Sequence, residues 1–245
     1  LTVTVTVTPS FSVAASETDA SCFGGTNGTV TVTASSTAFP VKYSWSSGES
    51  NTVNVNSNSI TGKAAGIYSV NVSDASGCGA SIAATINQPT ELTSSVSRKD
   101  YSGFGTNCNG SNTGGINATF TGGTPGYTYM WSNGSTATSI SGLVAGVYSL
   151  TVTDGNGCTV GSSATLPDPS AIAFTTATGY ACSGSTYTSA IISVNASGGA
   201  SAIYQYNIDG SGWVNNNQFF GLTNGSTHSI QVRDATYPSC VSGTH

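Results

Sequence analysis

Six cysteines offer the clearest chemistry in this 245-residue chain. They are Cys22, Cys78, Cys108, Cys158, Cys182 and Cys240, and consecutive pairs are separated by 56, 50 and 58 positions. Thiols in such numbers either oxidise to disulfides or bind a metal as thiolates. Zinc sites draw on closely spaced cysteines and on histidine. Here no CxxC occurs, and the two histidines are His228 and His245. Disulfides are therefore the expected use, and an even number of cysteines fits an oxidising compartment.

The partners follow from an internal repeat. Pro9, Pro89 and Pro169 recur at intervals of 80, as do Asp74, Asp154 and Asp234, and Tyr68, Tyr148 and His228. AGIYSVNVSDASGC from Ala65 matches AGVYSLTVTDGNGC from Ala145, and STHSIQVRDATYPSC from Ser226 is a looser third copy. Trp45 and Trp131 each lie 23 residues after the first cysteine of their pair. Such a period is too long for most solenoids and suits a small β-sandwich. If each copy is self-contained, the bonds are Cys22–Cys78, Cys108–Cys158 and Cys182–Cys240. Closing a loop of that size contributes about 4 kcal/mol by constraining the unfolded chain, which a sandwich with a modest core needs.

Other chemistry finds little support. A hydrolase needs a nucleophile, a base and an orienting group. His245 is terminal, and His228 falls where the other copies carry a core-facing tyrosine. No GxSxG, HExxH or phosphate-loop pattern is present. The expectation is no enzyme, no catalytic residue and no cofactor. Asp74, Asp154 and Asp234 are candidate calcium ligands, but calcium loops gather several carboxylates and each copy offers one. An Asx turn before the cysteine is the preferred reading. Trp45, Tyr68, Trp131 and Tyr148 are read as core aromatics. Trp213, after IDGSG, is the candidate surface-contact residue. The many Asn-x-Ser/Thr triplets follow from composition and carry no inference of glycosylation.

The elements that position these residues are strands. Val30, Val32 and Ala34 alternate with polar neighbours, as do Val41, Tyr43 and Trp45, and Tyr68, Val70 and Val72. The second copy repeats the pattern in Ile116, Ala118 and Phe120, then Tyr127, Tyr129 and Trp131, then Tyr148, Leu150 and Val152. In the third copy Tyr204, Tyr206 and Ile208 alternate, as do His228, Ile230 and Val232. Period two marks half-buried strands, and Gly-rich turns separate them. The expected fold is all-β: tandem immunoglobulin-like β-sandwich repeats, each with one internal disulfide, in an extended rod. The boundaries are 1–8 for the last strand of a preceding repeat, 10–88, 90–168, and 170–245 for a third repeat lacking its final strand. Leu1–Thr8 is further expected to mediate head-to-tail self-association by completing the third repeat of a neighbour.

Composition narrows the partners. Charged residues make up only 6% and the net charge is −5, with Lys42, Lys63, Arg98, Lys99 and Arg233 scattered. Nucleic acid is excluded, because phosphate binding needs clustered bases. No apolar run is long enough for a membrane helix, so no membrane insertion is expected. The expected partners are neighbouring repeats of the same array and a glycan or surface ligand of unspecified identity.

The first two copies share a frame: Cys, a Gly-rich stretch, a strand, (Y/V)xYxWSxG, a variable loop, and AGxYSxxVxDxxGC. This resembles the SprB repeat of very large cell-surface adhesins of gliding bacteria. The third copy departs from it, with Ile208 at the Trp position and His228 at the Tyr position. The resemblance implies an extracellular, cell-surface stalk or filament that supports attachment or gliding motility. A carbohydrate- or surface-binding module and the noncatalytic stalk of a secreted enzyme are the alternatives.

Overall fold

A computed structural model describes residues 11–183 and 186–243. The expected strand Leu1–Thr8, Pro9 and His245 lie outside the described residues. Among the described residues every regular element is a strand. The chain folds as two compact units. One comprises residues 1–93 with 120–128 and 153–160; the other comprises residues 94–119, 129–152 and 161–245.

The first unit is a β-sandwich. Its strands are β1 (Val13–Thr18), β2 (Gly28–Ala34), β3 (Val41–Trp45), β4 (Ser50–Val53), β5 (Ser57–Lys63), β6 (Gly66–Ser73) and β7 (Gly79–Ile86). One sheet runs β1-β2-β5 and the other β4-β3-β6-β7, with neighbours antiparallel. The alternation decides which face is buried, because successive side chains of a strand point to opposite sides. Val30, Val32 and Ala34 of β2, Val41, Tyr43 and Trp45 of β3, and Val70 and Val72 of β6 meet in one core. Ala20, Ile60, Ala84 and Ile86 complete it.

The second unit holds most of the second copy and all of the third. The second copy contributes β8 (Thr93–Arg98), β9 (Gly114–Thr121), β10 (Thr128–Trp131), β11 (Ser139–Leu143), β12 (Gly146–Thr153) and β13 (Thr159–Leu166). Its sheets run β11-β9-β8 and β10-β12-β13. Ile116, Trp131, Leu150, Val152 and Leu166 are buried. The third copy contributes β14 (Ala173–Ser183), β15 (Thr186–Ser197), β16 (Tyr204–Ile208), β17 (Gln218–Leu222) and β18 (Ile230–Asp234), in sheets β14-β15-β17 and β16-β18. Val194, Tyr206, Ile208, Ile230 and Val232 form its core. The residue types that mark the copies have local structural jobs. After β3 and β10, Gly48 and Gly134 take positive φ and donate to the Trp45 and Trp131 carbonyls at 3.1 and 2.9 Å, which is why WSxG ends the strand. The indole N–H groups are satisfied by Asn58 Oδ1 and the Ala137 carbonyl.

Candidate functional site at the disulfide junctions

The two disulfides join different copies. Cys22 is bonded to Cys158 and Cys108 to Cys240, with Cα separations of 5.8 and 5.2 Å. Cys78 and Cys182 are free and exposed. The expected bonds Cys22–Cys78, Cys108–Cys158 and Cys182–Cys240 are therefore corrected, and with them the notion of one internal disulfide per copy. The reason is the length of a strand. Cys78 sits in the turn just before β7, whereas Cys22 lies beyond its far end. There Ala20 N donates to the Asn87 carbonyl at 2.9 Å and Gly24 N to Gln88 Oε1 at 2.7 Å. Eight residues of strand hold the two apart by roughly 25 Å, and a disulfide tolerates a Cα separation of at most about 7 Å. The second copy repeats this, with Gly105 N donating to the Pro167 carbonyl at 2.8 Å beyond the end of β13.

Each junction is built around the recurring aspartate. Asp154 is buried, and its Oδ1 accepts the amides of Asn156 and Cys158 at 3.0 and 2.8 Å. Its Oδ2 accepts Thr124 N at 2.9 Å. Asp234 has no exposed surface and accepts still more, from the amides of Ala200, Ser201, Thr236 and Tyr237 and the Ser201 hydroxyl. For Asp154 the Thr124 amide leads the causes that hold the carboxyl below its usual value against burial. For Asp234 burial is the largest influence and pushes the carboxyl up, but the Ser201 hydroxyl and the amides outweigh it and the value falls. Asp74 accepts Ser76 N, Cys78 N and the Ser36 hydroxyl. These carboxylates hold turns through backbone donors, and among the described residues no cluster of three metal-ligating side chains surrounds them.

The turn thus fixed presents the second cysteine to the preceding copy. Asn156 Nδ2 donates to the Ser21 carbonyl at 2.8 Å, beside the Cys22–Cys158 bond. At the other junction Tyr237 meets Tyr101 edge-on with centroids 5.6 Å apart, and its hydroxyl lies 3.3 Å from Ser102 Oγ. Gly122–Gly123 and Gly198–Gly199, both pairs at positive φ, carry the chain around the aspartate. A Cβ at Gly198 would stand 2.2 Å from the Ala171 carbonyl oxygen. Gly198→Ala is expected to cost about 2–3 kcal/mol in urea denaturation, because both the φ and the space forbid a side chain. Gly179→Ala, with open space around it, is expected to change stability by less than about 1 kcal/mol.

The remaining candidates fall elsewhere. Trp45 and Trp131 are buried, while Tyr68 and Tyr148 are half-buried and donate to the Ala64 and Val144 carbonyls. Trp213 is half-buried, its ring under the Arg233 guanidinium at 4.4 Å. Gln205 Oε1 holds that guanidinium in place through Nε and Nη2. One grouping is formed only by the fold, which brings Asp209 to His228 across 19 positions. His228 Nδ1 lies 2.6 Å from Asp209 Oδ2, and its Nε2 lies 2.6 Å from Ser226 Oγ. The order resembles a Ser-His-Asp relay, and the His228 contact leads the causes that lower the Asp209 carboxyl. Ser226 Oγ, however, also donates to the Thr223 carbonyl at 2.6 Å. That bond and the short contact to Nε2 compete for the single hydroxyl proton of Ser226.

No curated protein matches the chain. Among solved structures, the C-terminal 282-residue fragment of intimin, in complex with the intimin-binding domain of its translocated receptor, is 14% identical with a TM-score of 0.38. The match covers 64% of this chain and 65% of that one. The N-terminal eight Ig domains of Down Syndrome Cell Adhesion Molecule are 12% identical with a TM-score of 0.31, over 90% of this chain and 33% of that one. Sidekick-1 immunoglobulin domains 1–5 are 11% identical with a TM-score of 0.36, over 94% of this chain and 57% of that one. The chain thus spans less than two thirds of each of these structures. The family model of the SprB repeat matches residues 14–50 in the first copy and 106–136 in the second.

Proposed function

We propose that the chain is a run of stalk or filament repeats of an exported bacterial surface adhesin, supporting attachment or gliding. The repeats are bounded at 10–88, 90–168 and 170–245, work as noncatalytic spacers, and form a stiff rod. The observation that carries this reading is the pair of bonds from one copy to the next. A link between neighbours adds a second covalent tie beside the main chain and resists separation under load, where a bond inside each copy would leave each joint to the main chain and noncovalent contacts. The match to the SprB repeat supports an extracellular, cell-surface setting. Among the described residues no helix is long and apolar enough to cross a membrane. Antibodies against the purified chain test the reading. Labelling of intact cells of the source organism, together with reduced attachment or movement, is the expected result. Labelling only after permeabilisation would overturn it.

A further inference from the structure

The two disulfides span 136 and 132 positions, and the loops they close overlap. Cys108 lies inside the loop closed by Cys22–Cys158, and Cys158 lies inside the loop closed by Cys108–Cys240. Overlap changes which residues tension can reach. Along the main chain Cys22 and Cys240 are 218 positions apart. With both bonds made, the shortest covalent route crosses from Cys22 to Cys158, runs backward over 50 positions to Cys108, and crosses to Cys240. The forward route from Cys158 to Cys240 is longer, at 82 positions. An extended chain spans about 3.5 Å per residue, so the route through both bonds stops at about 18 nm, where the bare chain reaches about 75 nm. The route also sorts the strands. β9 to β12, within residues 114–153, lie on it, whereas β2 to β8 and β13 to β18 lie off it. Off the route are Val30, Tyr43 and Ile86 of the first core and Val194, Ile230 and Val232 of the third. β1, ahead of Cys22, stays in line.

We propose that the overlapping disulfides make the chain an extension-limited tether. Load that unfolds the second copy runs backward from Cys158 to Cys108, and the strands of the first copy beyond Cys22 and those of the third copy are kept out of the line of tension. Two loops that did not overlap would each shorten the chain independently. Overlap makes the bonds interdependent, because either one alone already removes most of the residues that the other removes. The limit itself is covalent, and its use, keeping a loaded stalk short, rests on the stalk reading.

The oxidised full chain, with handles on its two ends, is stretched in optical tweezers until the second copy unfolds, and a dithiol reductant is then added at constant force. The loaded residues before reduction are the 22 up to Cys22, the 50 between Cys158 and Cys108 and the five after Cys240. Their contour length is about 27 nm. Cleavage of the first bond is expected to add a short step of about 12 nm, whichever bond it is, because the other still closes most of the chain. Cleavage of the second is expected to add about 47 nm, a step about fourfold longer. Cys22→Ser is expected to start about 1.4-fold longer than the parent and to show only the long step. Steps of equal size, the mark of separate loops, would overturn the proposal. So would an oxidised chain that reaches about threefold the expected length before reductant is added. Antibody labelling of intact cells does not depend on these steps, so failure of the limit and failure of the stalk reading are told apart.

Discussion

Cys22→Ser and Cys158→Ser are each expected to lower the stability of the oxidised chain by about 4–5 kcal/mol, and the double variant by no more than either alone. The Cys22–Cys158 bond spans 136 residues, and a cross-link of that reach removes about 5 kcal/mol of loop entropy from the unfolded chain. Equal, non-additive losses identify two residues that act through one bond. Cys78→Ser is expected to change stability by less than about 0.5 kcal/mol, since the Cys78 side chain is exposed and unbonded. This pattern discriminates sharply. A bond from Cys22 to Cys78 would make Cys78→Ser as damaging as Cys22→Ser and leave Cys158→Ser outside the pair. Guanidinium denaturation measures the losses. Alkylation without reductant, followed by peptide mapping, is expected to label Cys78 and Cys182 and to recover the other four cysteines as linked peptides.

Asp234→Ala is expected to cost about 3–5 kcal/mol, against about 1 kcal/mol for Asp74→Ala. Removing the Asp234 carboxylate leaves the amides of Ala200, Ser201, Thr236 and Tyr237 without their acceptor in a fully buried site. Each buried donor left unpaired costs about 1–3 kcal/mol, partly recovered by relaxation. Asp74 is half-buried, so water replaces part of what its loss removes. The pH dependence has a definite sign. The folded-state value of Asp234 is lowered, so its contribution is fully present above the unfolded carboxyl value of about 3.9 and is lost as pH falls through the lower folded value. Asp154, also lowered, acts in the same direction. Asp234→Asn is therefore expected to be less stable than the parent chain at pH 7, with the difference shrinking below about pH 4. Urea denaturation at the two pH values measures it. A constant difference would remove the ionised carboxylate from the account.

Much of the fold was legible in the residues. Val30, Val32 and Ala34, and Val41, Tyr43 and Trp45, are buried on the faces that their alternation marks. The turn role of Asp74, Asp154 and Asp234 also followed from local sequence, because an aspartate caps amides two to four residues ahead of it. The site was less legible. The Gly122–Gly123 and Gly198–Gly199 pairs were visible signals of a tight turn, but the carboxylates they wrap lie more than thirty residues away in the chain. Ser226 and His228 are near neighbours in the chain, but only the fold brings Asp209 to them.

By itself, the sequence determined the all-β class, the repeat and the faces of the strands, because these depend on the backbone period and on neighbours a few residues apart. Only the tertiary structure decided which cysteines meet. Sequence separation measures the entropy of closing a loop, and on that measure Cys22–Cys78 is a better match than Cys22–Cys158. Geometry reverses the choice. Strand β7 carries the chain away from Cys78 toward the end of the sandwich that holds Cys22. The second cysteine of the next copy is then the one brought within 5.8 Å of Cys22.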